Sequence, residues 1–176
     1  MKLLNVKVNV ILVHITIKKM KVEKIAIRVY ALIVKKDKIL LSDEFWFDTP
    51  MTKFPGGGLE MGEGIRDCLL RELKEELKIT PKSIDHFFTY EDLIVSEFIS
   101  KTQVIPIYYL CEIEDNSQIE VSEYRYDFKK LENGAMRNRW IDLDLLDESE
   151  MTFKNDKLAL RKLKDFLKIE KFGINQ

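Results

Sequence analysis

Glu72, Glu75 and Glu76 stand at i, i+3 and i+4 within Arg71-Glu72-Leu73-Lys74-Glu75-Glu76-Leu77. On a helix, at about 100° per residue, the three share one edge. Carboxylates held that close repel one another strongly unless a cation sits among them. Oxygen-only donors of this kind favour hard ions, so Mg²⁺ or Mn²⁺ is the natural occupant. The bland alternative is a solvated helix face whose glutamates pair with Arg71 and Lys74. The glycines upstream weigh against it. Pro55 is followed by Gly56, Gly57 and Gly58, and Gly62 and Gly64 add a turn just ahead of the helix. Such a loop lets a backbone carbonyl or amide approach a ligand closely. A glycine-rich loop feeding a carboxylate-bearing helix can place a carbonyl on the same ion as the side chains. A plain tight turn does not explain both features together.

Other elements must hold that edge in place. Ile65, Leu69, Leu73 and Leu77 recur every four residues, with Leu70 widening the stripe, which predicts a helix from Gly64 to Leu77. Its apolar face would pin the glutamates against a sheet. Residues 24–44 read as two β-branched strands joined by a charged turn at 35–38. Residues 44–54 read as a loop, since Pro50 and Pro55 disfavour regular structure. Strands are expected at 84–94 and 101–115, the second central, with Pro106 at a bulge. Residues 117–138 are polar and aromatic and read as loop-rich. A final strand is expected over 138–146, and Leu158, Leu160, Leu163 and Leu167 predict a closing amphipathic helix over 152–167. The sum is one mixed α/β or α+β domain spanning 21–176, with a helix on each side of a sheet.

Composition excludes several function classes. The chain has 176 residues, a formal net charge of −1, 45% hydrophobic and 34% charged residues. That balance fits a soluble globular protein without the basic field that attracts nucleic acid or an anionic membrane. Cys68 and Cys111 lack metal-type spacing and read as reduced, buried thiols in a cytoplasmic protein. His14 and His86 are isolated, with no zinc-type neighbours. Residues 1–20 begin like a signal peptide, but Asn5, Lys7, Asn9 and His14 interrupt the apolar run and no small-residue cleavage site follows. They are too short and too polar to span a bilayer. Alternation of Val6, Val8, Val10 and Leu12 reads as an extra N-terminal strand, with a leader ahead of a start at Met20 as the alternative.

Gly57, five residues, Glu63, seven residues, then Arg71-Glu72-Leu73-Lys74-Glu75-Glu76-Leu77-Lys78-Ile79 resembles the signature of the Nudix hydrolases. That signature is G-x5-E-x7-R-E-U-x-E-E-x-G-U, with U apolar, and every position matches except the last glycine, here Lys78. The resemblance implies a Nudix-type α/β/α sandwich with a mixed sheet between helices. It also implies metal-dependent cleavage of a pyrophosphate linkage in a nucleoside diphosphate joined to another group. Carried over by position, Glu72, Glu75 and Glu76 would bind Mg²⁺ or Mn²⁺ with the Gly56 carbonyl as an extra ligand. Glu63 and Arg71 would tie loop to helix, completing the catalytic set. The general base would be Glu72, or Glu120 or Glu123 in the later loop. The expected partner is a small-molecule nucleoside diphosphate derivative, with no nucleic acid and no membrane. A homodimer is left open.

Substrate choice lies outside the signature. The proline, tyrosine and extended arrays that mark ADP-ribose, dinucleoside-polyphosphate and NADH subfamilies do not appear, so a nucleoside triphosphate or nucleotide sugar is the default. Gly57, Gly58, Phe47 and Lys53 are the candidate substrate contacts, with Arg125 and Arg137 as further phosphate candidates. Phe45, Trp46 and Phe47, or Tyr124, Tyr126 and Phe128, could stack on a base or equally anchor loops. Two other functions share the fold: a catalytically silent nucleotide sensor, and an isoprenoid diphosphate isomerase with a catalytic cysteine. Lys78 falls where a left-handed glycine would end the helix, at a cost of about 1 kcal/mol if that geometry is kept.

Overall fold

The computed structural model describes residues 21–114 and 118–172. The expectation for residues 1–20 lies outside them. Strand β1 (Lys24–Lys35) is the axis of the fold. Its side chains alternate between two cores. Val29, Ala31 and Ile33 enter one, and Tyr30 and Leu32 enter the other. A strand buried on both faces must lie inside the sheet. It pairs in parallel with β7 (Thr102–Glu112), from Lys24↔Thr102 to Ile33↔Cys111. On its other edge lies the short antiparallel β4 (Gly56–Gly58). Beyond β7 come β5 (Ser83–Thr89) and β6 (Ile94–Val95), both antiparallel to it. Strand β2 (Lys38–Trp46) leaves β1 by a hairpin and is flanked by β3 (Thr49–Lys53) and β8 (Ala135–Asp142), again antiparallel.

Helix α1 (Ile65–Leu77) covers one face, burying Cys68, Leu69, Leu73 and Leu77 against Val29, Ala31, Ile33 and Ile107. Helix α2 (Lys154–Phe172) covers the other, where Ala159, Leu160 and Leu163 meet Tyr30, Leu32 and Tyr108. The arrangement is the expected helix, sheet, helix sandwich around a mixed sheet. No helix among the described residues is long and apolar enough to cross a membrane.

Both proline expectations need correction. The stretch after Glu44 is no loop: β2 continues to Trp46, turns at Phe47 and Asp48, and returns as β3 with Pro50 opposite Phe45. Pro50 is tolerated because β3 pairs only with β2, so its missing N–H breaks no ladder. Pro106 sits in regular β7, opposite Arg28, and the irregularity lies on β5 between His86 and Phe88. The outer partner of β7 changes at this point, with β5 ending at Thr89↔Ile107 and β6 starting at Ile94↔Val104. The missing N–H of Pro106 falls in that break.

Lys78 takes the conformation its position demands. It has φ 60° and ψ 28°, its backbone N–H donates to the Leu73 carbonyl, and its ammonium donates to the Glu75 carbonyl at 2.7 Å. The left-handed turn is therefore kept without glycine. Lys78→Gly should raise stability by about 0.5–1 kcal/mol, less than the full left-handed penalty because glycine also loosens the unfolded chain. Thermal melts of the two proteins check this, and an unchanged or lower melting temperature would count against strain at the cap.

Asp156, in the first turn of α2, is fully buried. Its Oδ1 accepts from the Tyr108 hydroxyl at 2.6 Å and from Asn155 Nδ2 at 3.2 Å, while Oδ2 has no partner. Burial pushes its carboxyl up from 3.8 to about 7, against the opposing pull of the Tyr108 hydrogen bond. A carboxyl raised on folding stabilises the protein fully below its unfolded pKa and loses that contribution as pH climbs through the folded value. Asp156→Asn should therefore flatten the fall in melting temperature between 3.8 and about 7. A pH series of melts on both proteins reads this directly, and parallel curves would refute it.

Candidate active site

Two glycines of β4, Gly56 and Gly57, are a docking surface for the α1 carboxylates. Gly56 lies at φ 128°, and a Cβ there would stand 2.2 Å from the Val29 carbonyl oxygen, so only glycine lets β4 pair with β1. Its backbone N–H donates to Glu76 Oε2 at 3.1 Å. At Gly57 a Cβ would stand 2.2 Å from Glu72 Oε1, which shows how closely that carboxylate lies over the strand backbone. Glu72 and Glu76 thus turn inward onto the glycines, while Glu75 is exposed.

Arg71 fastens loop to helix. Its Nε and one terminal nitrogen donate to Glu63 at 3.1 and 2.8 Å, and that nitrogen also donates to the Gly58 carbonyl at 3.0 Å. The other terminal nitrogen reaches Glu72 at 2.9 Å and Glu75 at 3.3 Å. Glu63 also accepts from the Glu60 amide at 2.8 Å. The Arg71 hydrogen bonds, followed by the Glu60 amide, hold the Glu63 carboxyl down at about 2.

Lys53 lies elsewhere than a phosphate contact at the surface would. Only 2% exposed, it directs its ammonium to the Gly56 carbonyl at 2.6 Å and to Glu44 at 2.7 Å, with the Tyr30 ring 5.4 Å away. Glu44 also accepts from the Ser42 hydroxyl at 3.1 Å. Burial pushes the Glu76 carboxyl up to about 7, with Glu44 and Glu72 adding to the rise and Lys53 opposing it. The mutual repulsion expected of the α1 carboxylates is therefore relieved by side-chain cations, Arg71 on one flank and Lys53 on the other.

Glu72, Glu75, Glu76 and the Gly56 carbonyl are an all-oxygen donor set, which fits a hard divalent ion chemically. Among the described residues, however, no three His, Cys, Asp or Glu side chains are gathered closely enough to enclose one. Arg71 and Lys53 already engage several of those oxygens.

The remaining candidates are scattered. Gly58 pairs with Arg28 through β4, and its carbonyl is taken by Arg71. Phe47 is exposed at the β2–β3 turn and stacks on Phe98 with centroids 5.4 Å apart. Glu120 is exposed and lies 3.6 Å from both Lys129 and Arg137, and Glu123 is exposed in the same segment. Val121 bridges to Asn138 on β8, which sets that segment beside β8. Arg125 donates to the Thr52 hydroxyl at 3.2 Å and to the Glu150 carbonyl at 2.6 Å, pegging its loop to the sheet. Cys68 is fully buried, and burial pushes its thiol up to about 12. Glu44 had no motif to reveal it. The trace it leaves is its place in the polar run Ser42-Asp43-Glu44, set between the apolar residues of β2.

Comparison with known proteins agrees with the fold. The NUDIX domain family profile matches residues 23–162. A stretch of 41 residues is 49% identical to the 8-oxo-dGTP diphosphatase of Escherichia coli (strain K12), covering 23% of this chain and 30% of that protein. The chain is thus matched to less than a third of that curated relative. The crystal structure of the MutT NUDIX hydrolase from Burkholderia pseudomallei superposes with a TM-score of 0.60 at 18% identity, over 80% of this chain and 98% of that one. A NUDIX hydrolase from Nitrosomonas europaea gives 0.58 at 20% identity, over 81% and 90%. At those identities the likeness is one of fold, and the profile match carries the assignment. The chain belongs to the NUDIX domain family.

Proposed function

We propose that the chain is a divalent-metal-dependent hydrolase that cleaves a phosphoanhydride bond in a nucleoside diphosphate derivative, with a nucleoside triphosphate as the first choice of substrate. The observation that carries this reading is the seating of Glu72 and Glu76 on the glycine backbone of β4, held by the Arg71–Glu63 clasp. Glu72, Glu75, Glu76 and the Gly56 carbonyl would hold the ion, Mg²⁺ or Mn²⁺. When bound, such an ion supplies the positive charge that neutralises a diphosphate and acidifies water for attack on phosphorus. The chain's own part is positional. Arg71 keeps Glu72 and Glu75 from drifting apart, and β4 fixes the carboxylate edge against the sheet.

Glu72, closely packed on Gly57, is the favoured general base over Glu120 and Glu123, whose segment lies beside β8. The short match to an 8-oxo-dGTP diphosphatase supports a nucleoside triphosphate. Phe47, exposed and already stacked on another ring, is the candidate contact for a base. The isomerase alternative is weakened because Cys68 is buried and its thiol stays protonated. The test is a phosphate-release screen with Mg²⁺ and with Mn²⁺ over nucleoside triphosphates, including 8-oxo-dGTP, nucleotide sugars and dinucleotides. Turnover of a triphosphate supports the reading. Silence across the panel, with a ligand that still raises the melting temperature, would favour a nucleotide-binding module instead.

A further inference from the structure

Lys53 has no place in the signature, yet it is the most deeply buried cation of the site. Its ammonium lies 2.6 Å from the Gly56 carbonyl oxygen and 2.7 Å from Glu44, with only 2% of the residue exposed. Burying an ion pair costs desolvation that its mutual attraction does not always offset, so packing alone is a weak reason for the pair to exist. What the pair does accomplish is specific. It sets a fixed positive charge on the one backbone carbonyl offered to the metal, beside the carboxylate of Glu76, whose Oε2 accepts from the Gly56 amide of the same residue.

We propose that Lys53 is a built-in cation that competes with the divalent ion for the Gly56 carbonyl and so weakens metal binding by the nucleotide-free protein. The inference rests on the metal-site reading above. A lone-pair oxygen held by an ammonium is a poorer ligand, and a unit positive charge a few ångströms away repels a dication. Glu44 keeps the ammonium in place, since leaving would strand a buried carboxylate. Lys53 thus acts as a positioning residue on the metal's ligand field, and it touches no reacting atom.

The test is Mn²⁺ binding to the full chain without nucleotide, followed by the electron paramagnetic resonance signal of free Mn²⁺, with melting temperatures in parallel. Lys53→Met should bind Mn²⁺ at least about tenfold more tightly, because removing a like charge at this range exceeds one decade in an equilibrium constant. Lys53→Arg, which keeps the charge, should not tighten. A purely structural lysine would instead lower the melting temperature and leave Mn²⁺ affinity unchanged or weaker, and that result overturns the proposal. If Lys53→Met alone does not fold, the double variant Lys53→Met with Glu44→Gln removes both charges together. It should still tighten, because the carbonyl is freed, and failure to tighten again overturns the proposal. Absence of Mn²⁺ binding in every protein, wild type included, would overturn the metal-site reading and this inference with it.

Discussion

Glu76→Gln is expected to lower turnover of the nucleotide substrate by at least about a hundredfold, as removal of one charged group from a metal-centred site commonly does, while leaving the fold intact. The physical case for the second half of that expectation is unusually direct. Glu76 is pushed up to about 7, chiefly by burial, so its neutral form already suits the site. A glutamine is the permanent analogue of that neutral form. Its amide oxygen can accept from the Gly56 N–H just as Oε2 does at 3.1 Å. What glutamine cannot do is present a negative oxygen to a dication. Steady-state phosphate release with Mg²⁺ and Mn²⁺, beside a thermal melt of each protein, separates the two effects. An active Glu76→Gln would remove Glu76 from the metal set, and an inactive but unfolded one would leave the assignment to Glu72→Gln, where the same loss is expected.

Asp43→Ala should cost about 3–5 kcal/mol of stability, because it strips a buried guanidinium of its two-point counter-charge and leaves it only the partly exposed Glu150 carboxylate at 3.5 Å. Asp43 is completely buried and Arg139 nearly so, and the Arg139 guanidinium donates to both carboxylate oxygens. The same carboxylate accepts from the Thr52 hydroxyl at 2.7 Å and the Tyr126 amide at 3.2 Å. One side chain therefore joins β2, β8, β3 and the loop that carries Glu120 and Glu123. Urea unfolding monitored by circular dichroism would measure the loss. A change below about 1 kcal/mol would mean that water or relaxation replaces the lost partner far better than burial allows.

Much of this is legible in the amino-acid sequence itself. The four-residue recurrence of Ile65, Leu69, Leu73 and Leu77 marks the helix and its buried face, because a helix of period 3.6 has only one way to bury such a stripe. The clustered glycines and the spaced carboxylates belong to the same local segment, so their relationship is written in sequence distance. The strand pattern of residues 24–44 is equally local. The prolines misled for a different reason. Whether Pro50 or Pro106 interrupts a strand depends on which edge its absent N–H faces, which is set for Pro50 by the hairpin register opposite Phe45 and for Pro106 by the hand-over from β5 to β6 along β7.

The charge balance of the site shows the same division. From the sequence alone the glutamates of α1 repel one another and call for a cation. Arg71 could be seen as a partner because it lies on the same helix. Lys53 and Glu44 could not, since they sit on different strands, and the Lys53 ammonium meets both Glu44 and the Gly56 carbonyl only once β2, β3 and β4 are folded together. Asp43 and Arg139 are separated by 96 residues and meet only across the β2–β8 pairing. The sequence by itself determined the family signature, the helix and its acidic edge, all properties of spacing within one segment. Only the tertiary structure decided which buried charges face each other, because Coulomb energy and desolvation depend on distance through space, and distance along the chain does not determine it.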